Sequence, residues 1–251
     1  MKIDMKPMEF VGKKVLVTGG TRGIGATTAA MFAHLGASVT LTGTDQDGIR
    51  EFQRQYDLPN VSGYAVRFDD LQSTSDFCQQ IADVEFDILV NNAGMNKVGP
   101  FVNIEIADWQ RIQDVNLRAP FMVSQVVAKN MQTKKSGRIV HISSVFGIVS
   151  KEHRVSYSTS KAGLIGMMKA MALELAPYGI LVNAISPGFI DTELTRKVLG
   201  ETGIEQMLSK VPLQKLGTTE DIARLALFLC SEWNQFITGE NVVIDGGFTS
   251  A

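Results

Sequence analysis

Short, almost unbroken apolar runs rich in β-branched residues alternate with longer helical stretches from one end of this chain to the other. No other feature restricts the fold as much. The runs are Lys14–Thr18, Ser38–Thr42, Gly63–Phe68, Asp87–Asn91, Arg138–Ser143, Ile180–Ser186 and Val242–Asp245. Continuous rather than alternating apolarity predicts strands covered on both faces, as in a parallel sheet. Helical spacing marks Ile24–Leu35, Gln46–Tyr56, Thr74–Ala82, Glu105–Met131, Val155–Tyr178 and Thr219–Ser231. Ser73 with Asp76, and Thr218 with Asp221, read as capping boxes opening two of them. Repeated β-α-β units with right-handed crossovers give an α/β, Rossmann-type doubly wound parallel sheet of about seven strands, with helices on both faces. No linker, repeat or low-complexity stretch divides the sequence, so residues 1–251 read as a single domain. The segment 191–217 joins the last two strands with no clear place in the sheet and reads as a mobile substrate flap. Gly200 and Gly203 would be its hinges, and Leu194, Leu199 and Met207 would close over a ligand. A pair of permanently docked helices is the alternative.

Composition serves mainly to exclude. The 24 Lys+Arg and 26 Asp+Glu are interspersed, so there is neither a basic stripe for nucleic acid nor a polybasic patch for a membrane. No apolar run has the length of a bilayer span, and Met1 to Lys14 lacks the apolar stretch of a signal peptide, which suits a cytoplasmic protein. Cys78 and Cys230 lie far apart and read as buried thiols rather than a disulfide. His34, His141 and His153 show no metal-ligand spacing, so no metal site is expected. His34 and His141 read as packing or surface residues, and the Met and Phe content as core.

The first strand runs through Thr18-Gly19-Gly20-Thr21-Arg22-Gly23-Ile24-Gly25 directly into a helix. Strand, Gly-rich turn and helix N-terminus can cradle a pyrophosphate, because backbone N–H groups reach it only where no Cβ intervenes. The turn lacks the Gly-Lys-Ser/Thr ending of a P-loop, which counts against an NTPase. The end of the second strand discriminates between nicotinamide cofactors. An NAD site usually has an acid there for the ribose hydroxyls, whereas this chain has Gly43 followed by Thr44. Asp45 and Asp47 read as the start of the next helix, and Arg22 can meet a 2′-phosphate unless it is merely solvated. NADP is therefore favoured, with NAD as the alternative.

Tyr157 and Lys161 share one helix face at i, i+4. A cation there favours phenolate, so the phenol pKa is expected to fall and the group to serve as general acid or base on a carbonyl or alcohol. Ser143-Ser144, Asn91-Asn92-Ala93-Gly94 and Pro187-Gly188 all follow strands, at the edge where doubly wound sheets bind ligands. There is no Gly-x-Ser-x-Gly elbow to support a serine hydrolase.

Together these residues resemble the short-chain dehydrogenase/reductase family from Lys13 to Phe248. The motifs are Thr18-Gly-x-x-x-Gly-Ile-Gly25, Asn91-Asn-Ala-Gly94, Asn116, Ser144, Tyr157-x-x-x-Lys161 and Ser186-Pro-Gly-Phe189, in the family's order. The family spacing of serine and tyrosine selects Ser144 over Ser143. The resemblance implies hydride transfer between a nicotinamide and a ketone or secondary alcohol. Tyr157 would exchange the hydroxyl proton, Ser144 hydrogen-bond the substrate oxygen, and Lys161 hold the nicotinamide ribose. Asn116 would help to hold a proton-relay water. It further implies dinucleotide contacts at Gly19, Thr21, Arg22, Gly23, Ile24, Gly25, Thr44, Asp70, Leu71, Asn91, Ala93, Gly94, Pro187, Gly188, Ile190 and Thr192, with Asp70 and Leu71 at the adenine.

The sequence is most similar to 3-oxoacyl-[acyl-carrier-protein] reductases, which share Tyr157-Ser-x-Ser-Lys-Ala-Gly-Leu-Ile-Gly166 in similar form. Two departures leave a sugar, sugar-acid or polyol dehydrogenase open. Tyr178 stands where carrier-protein reductases commonly have a docking arginine, and Lys151-Glu152-His153-Arg154 is unusually charged. A non-catalytic NADP-binding sensor is the reading from another class, and the complete proton-transfer set argues against it. Relatives of this pattern are commonly homotetramers, so the partners implied are a small carbonyl or alcohol substrate, free or carrier-bound, and further copies of the chain. Met122, Val126, Met167, Met168 and Met171 would supply the apolar contact between copies, unless they are core.

Overall fold

In β1 (Lys14–Val17) the side chains of Val15 and Val17 enter one core and Leu16 enters another, which is why its apolar run is unbroken. The computed structural model describes residues 7–250. The other strands are β2 (Ser38–Gly43), β3 (Val61–Ala65), β4 (Ile88–Asn91), β5 (Gly137–Ile142), β6 (Ile180–Pro187) and β7 (Asn241–Ile244). All seven form one parallel sheet in the order β3-β2-β1-β4-β5-β6-β7. Over one face lie α1 (Gly23–His34), α2 (Gln46–Tyr56) and α8 (Thr219–Cys230), around Phe10, Phe32 and Phe52. Over the other lie α3 (Leu71–Gln80), α5 (Ala119–Lys134) and α6 (Val155–Leu175), around Phe77, Phe86 and Met131. Among the described residues no helix is long and apolar enough to cross a membrane, and Cys78 and Cys230 are buried free thiols.

Several boundaries differ from the sequence reading, each for a local reason. β3 begins and ends earlier than Gly63–Phe68, because β2 stops at Gly43; Val66 and Phe68 are buried in the loop beyond, against α3. The cap of α3 is Asp70, whose carboxylate accepts from Ser73 N at 2.8 Å, rather than a Ser73–Asp76 box. At α8 the expected Thr218–Asp221 box is present. The long helix over Glu105–Met131 is two helices, α4 (Ile106–Gln113) and α5, separated by a π-helical turn at Asp114–Arg118. Pro120 is the signal for that break, since it lacks the N–H that an α-helix would offer to the Asn116 carbonyl.

The 191–217 segment contains α7 (Glu193–Leu208), kinked at Gly200 (φ 63°, ψ 178°). Both of its ends are pinned. Asp191 N bonds Gly217 O at 2.8 Å, and Met207 and Val211 are buried. The side chains of Leu194 and Leu199 lie outside the described residues. Met168 is fully buried, whereas Met122, Val126 and Met171 pack on the core and, like Met167, stay partly exposed. Exposed apolar side chains on and beside these helices include Phe101, Val102, Ile106, Phe121 and Leu173.

The strand order reverses between β1 and β4, which opens a crevice at their carboxyl ends. Two loops meet there. Thr18 Oγ1 accepts from Asn92 N (3.0 Å) and Ala93 N (3.1 Å), while Asn92 Nδ2 donates to Gly19 O at 2.9 Å. A Cβ on Gly19, whose φ is +63°, would lie 2.8 Å from Ala93 Cα. A Cβ on Gly25 would collide with the Gly19 carbonyl and the Asn92 amide, so the first turn of α1 sits directly on this junction. Gly25→Ala is therefore expected to destabilise the fold by about 1–3 kcal/mol, the usual cost of overpacking. Urea denaturation would measure it, and an unchanged midpoint would contradict it.

Candidate active site

Three segments at the edge of the sheet are held together by side chains that hydrogen-bond backbone. Ser143 Oγ donates to Lys161 O at 3.1 Å, which ties the end of β5 to α6. Gln113 Nε2 donates to Ser156 O at 3.0 Å, which ties α4 to the first turn of α6. Asn116, wholly buried in the π-turn, accepts from Met95 N (2.8 Å) and donates to Met95 O (2.9 Å) and Ser160 Oγ (3.0 Å). Its side chain is thereby committed to holding the loop after β4 against α6.

Within this frame Ser144 lies at the end of β5 and accepts from Phe146 N at 3.1 Å. Its hydroxyl lies close enough to the phenol of Tyr157 to draw the phenol's pKa down. Lys161 is only 3% exposed, and its Nζ donates to Ile142 O at 2.8 Å. It lies 5.8 Å from the Tyr157 ring centroid. A Cβ on Gly94 would be 3.6 Å from both Asn116 Oδ1 and Lys161 Nζ. Ser144, Tyr157, Lys161, Asn116 and Gly94 thus converge.

The electrostatics correct one expectation. Burial holds the Tyr157 phenol above its ordinary pKa, against the lowering pull of the Ser144 hydrogen bond and the Arg154 charge. Arg154 thus adds a second cation near the phenol, beside Lys161, whose Nζ is 5.8 Å from the ring centroid. Lys161 is itself brought down to about 8 by burial. His141, buried between β5 and α5, falls to about 3 through burial and the neighbouring Lys161 charge, so it is neutral. Its Nδ1 lies 3.2 Å from Asn91 Nδ2, which also donates to Ser124 Oγ at 2.8 Å. The Asn91 side chain therefore points under the sheet, away from the crevice.

The crevice suits a dinucleotide on its own geometry. Among the described residues no side chain caps the N-terminus of α1, and its first turn carries no acid, so its N–H groups are available to an anion. Gly23 (φ +55°) faces Thr192 at the start of α7, where an added Cβ would lie 3.7 Å from Thr192 Cγ2. Gly43 is buried, and a Cβ there would meet Thr21 Cγ2 at 2.7 Å, so an acid at this position would have to displace the Thr21 side chain. Asp45 caps α2, accepting from Gly48 N (2.8 Å) and Thr44 Oγ1 (3.1 Å), as its position suggested. Arg22 is exposed beside it. Leu71 presents an exposed side chain next to the Asp70 cap. Pro187 ends β6 and Gly188 packs on Asp245, where a Cβ would approach to 2.7 Å. Ile190 is buried in the core and bridges to Gly217.

These geometries match known proteins over nearly the whole chain. A family model described as enoyl-(acyl carrier protein) reductase covers residues 19–249. The chain belongs to the short-chain dehydrogenase/reductase family. It is an oxidoreductase of that family, a class that works with nicotinamide dinucleotides. It is 40% identical to the 3-oxoacyl-[acyl-carrier-protein] reductase FabG of Aquifex aeolicus over 246 residues, 96% of this chain and 98% of the relative. The Escherichia coli protein of the same name is 37% identical over 242 residues, again 96% and 98% of the two chains. Among solved structures, a protein described as a NAD(P)-dependent gluconate 5-dehydrogenase from Beutenbergia cavernae, with NADP at low occupancy, superposes with a TM-score of 0.93. That pair is 28% identical, covering 98% of this chain and 100% of the other. ElxO with NADP bound gives 0.89 at 32% identity, covering 95% and 99%.

Sequence reasoning missed part of the site. Phe146, Phe189 and Phe248 were grouped with the core, yet they form an edge-to-face series of rings with centroids 6.1 and 5.1 Å apart, running from the Ser144 loop to the C-terminal segment. Phe189 and Phe248 are only partly buried. Their positions directly after Pro187-Gly188 and Gly246-Gly247 were the available signal.

Lys161 also has a thermodynamic signature. Its pKa in the folded chain, about 8, lies below its ordinary 10.5. Between those values the unfolded chain holds the extra proton, so this group makes stability rise with pH across that window. Below it, the buried charge costs on the order of 3 kcal/mol. Lys161→Met is therefore expected to be more stable than the native chain at neutral pH by up to about 3 kcal/mol, although functionally impaired. Urea denaturation as a function of pH measures the gap, which should shrink as pH passes 8; a constant gap would refute this account.

Proposed function

We propose that this protein is an NADP-dependent oxidoreductase interconverting a ketone and a secondary alcohol, with chemistry like that of 3-oxoacyl reductases. The observation that carries this reading is Ser144 and Tyr157 gathered around a buried Lys161, at the same sheet edge as an uncapped helix N-terminus. The Gly19–Gly25 turn holds the pyrophosphate, with Thr192 facing it and with Ala93, Gly94, Pro187, Gly188 and Ile190 forming the nicotinamide end. At Asn91 the contact is through backbone, since its amide is occupied elsewhere. The bound dinucleotide supplies or accepts the hydride.

The chain's own residues handle the proton. Tyr157 donates from its phenol to the developing alkoxide, and its raised pKa keeps that proton in place until then. Ser144 donates to the same oxygen. Lys161 holds the nicotinamide ribose. Asn116 is a positioning residue through its side chain, and its carbonyl, to which Pro120 cannot donate, is offered to the relay water. Arg22 and Thr44 receive the 2′-phosphate, since the end of β2 carries Gly43 in place of an acid that would favour NAD. A sugar-acid dehydrogenase is the second reading, favoured by the Arg154 cation at the phenol.

NADPH is expected to bind at least about ten-fold more tightly than NADH, the effect of one charged contact, and Arg22→Ala should erode that preference. Tyr157→Phe should abolish turnover while nearly preserving NADPH affinity. Titration of both cofactors, with turnover over a panel of 3-oxoacyl thioesters, keto sugars and polyols, checks all three. Equal cofactor affinities, or an active Tyr157→Phe enzyme, would refute the reading. NADPH binding with no turnover of any substrate would favour the sensor.

The exposed Phe101, Val102, Ile106 and Phe121 support self-association as a tetramer in a cytoplasmic setting. Light scattering at micromolar concentration should report a mass near four chains, and a monomer mass would overturn this.

A further inference from the structure

Beyond its influence on the phenol, Arg154 has no part in the reaction as described. It immediately precedes α6, three residues ahead of Tyr157. Its guanidinium carbon lies 5.5 Å from the centroid of the Phe146 ring, and Phe146 is tied to the reaction centre through its amide on Ser144 Oγ. The turn that delivers it is fixed. His153 has a left-handed φ of +66°, and its carbonyl accepts from Gly99 N at 3.3 Å. On the far side of Phe146, the ring series reaches Phe248, which lines a cleft of about 570 Å³ with Val149, Ser150, Val211 and Pro212.

Among the described residues Arg154 has no counter-ion; Arg22, which also lacks one, is exposed, and Arg138 donates instead to the Gly137 and Asn234 carbonyls. Arg67, Arg111, Arg118 and Arg196 each hold a carboxylate, at 3.3, 2.7, 2.9 and 2.7 Å. Among the described residues no carboxylate lies within ion-pair reach of Arg154, although its side chain is half withdrawn from water and loses proton affinity through burial. A partly desolvated cation without an anion is an unfavourable arrangement that a ligand anion can complete. The planar fork of a guanidinium pairs with both oxygens of a carboxylate, and ring stacking on Phe146 holds the plane still.

We propose that Arg154 is a specificity-determining residue that receives a carboxylate carried by the substrate close to the reacting carbon, so that the substrate is a free keto acid or hydroxy acid. This rests on the oxidoreductase reading above and narrows its substrate class.

The test compares 3-oxobutanoate with its methyl ester, which share a skeleton and differ in charge. With NADPH, kcat/KM for the acid should exceed that for the ester by about ten-fold, the worth of one charged contact. Arg154→Gln should bring the ratio to about one, and Arg154→Lys should keep part of it. Removing the Arg154 charge also raises the Tyr157 pKa, but that moves both substrates together, so the ratio isolates the anion contact. A wild-type preference for the ester, or an unchanged ratio in Arg154→Gln, would overturn the proposal.

A second measurement depends neither on turnover nor on the folding of a variant. Wild-type protein is treated with phenylglyoxal, and modification of Arg154 is read by peptide mass spectrometry. Butyrate should protect Arg154 and butyramide should not; equal protection by the two, or none, overturns the proposal whatever the turnover. Failure of every ketone in the broader panel would instead remove the oxidoreductase reading, so the two failures are distinct.

Discussion

A parallel sheet delivers the carboxyl end of every strand to one edge, and that constraint organises everything else in this protein. Each strand is covered on both faces, so the edge is where the chain can present polar groups without burying them unsatisfied. The reversal of strand order between β1 and β4 opens the edge. The Thr18 hydroxyl, accepting from the backbone of Asn92 and Ala93, then locks the glycine turn to the loop after β4. With those two loops fixed, the first turn of α1, the serine after β5 and the phenol of α6 meet at one place. The glycines of the junction are set by distance as much as by dihedral freedom, since a Cβ on Gly19 or Gly25 would occupy space already filled.

The reaction centre is electrostatically expensive. Lys161 is almost out of water, its proton affinity reduced, and its visible partner is the Ile142 carbonyl. Tyr157 is held above the range of an easily ionised phenol. Both groups are thus displaced toward their neutral forms by the same desolvation, a pattern typical of sites where proton transfer is matched to the working pH. Asn116 shows the complementary strategy. Its side chain is saturated by three hydrogen bonds, which makes it a rigid strut between Met95 and Ser160.

Specificity is arranged around this centre by steric exclusion and by charge. At the adenosine end, Thr21 packs against Gly43, and a side chain at the end of β2 would have to push it aside. At the substrate end, the phenylalanine rings carry Arg154 on one side and the cleft on the other.

Much of this was legible in the sequence. Unbroken apolar runs give the strands away because both of their faces are buried, and the order of the motifs places Gly19–Gly25, Asn91–Gly94, Ser144, Tyr157 and Lys161 at one edge as soon as the sheet is known to be parallel. Asp45 could be assigned to a helix cap rather than to a ribose because capping is a local matter of one side chain and the next turn. What local pattern could not supply was the outcome of competition between distant groups. The apolar Val66 and Phe68 imitate strand, yet they lie beyond the last ladder partner that β2 offers. Only tertiary structure decided which way the Asn91 amide turns, that burial outweighs the nearby charge at Tyr157, and that Arg154 adds to that charge. Spacing along a helix determines which residues share a face, whereas desolvation and Coulomb terms depend on everything packed around them, and those neighbours come from strands and loops far away in the chain.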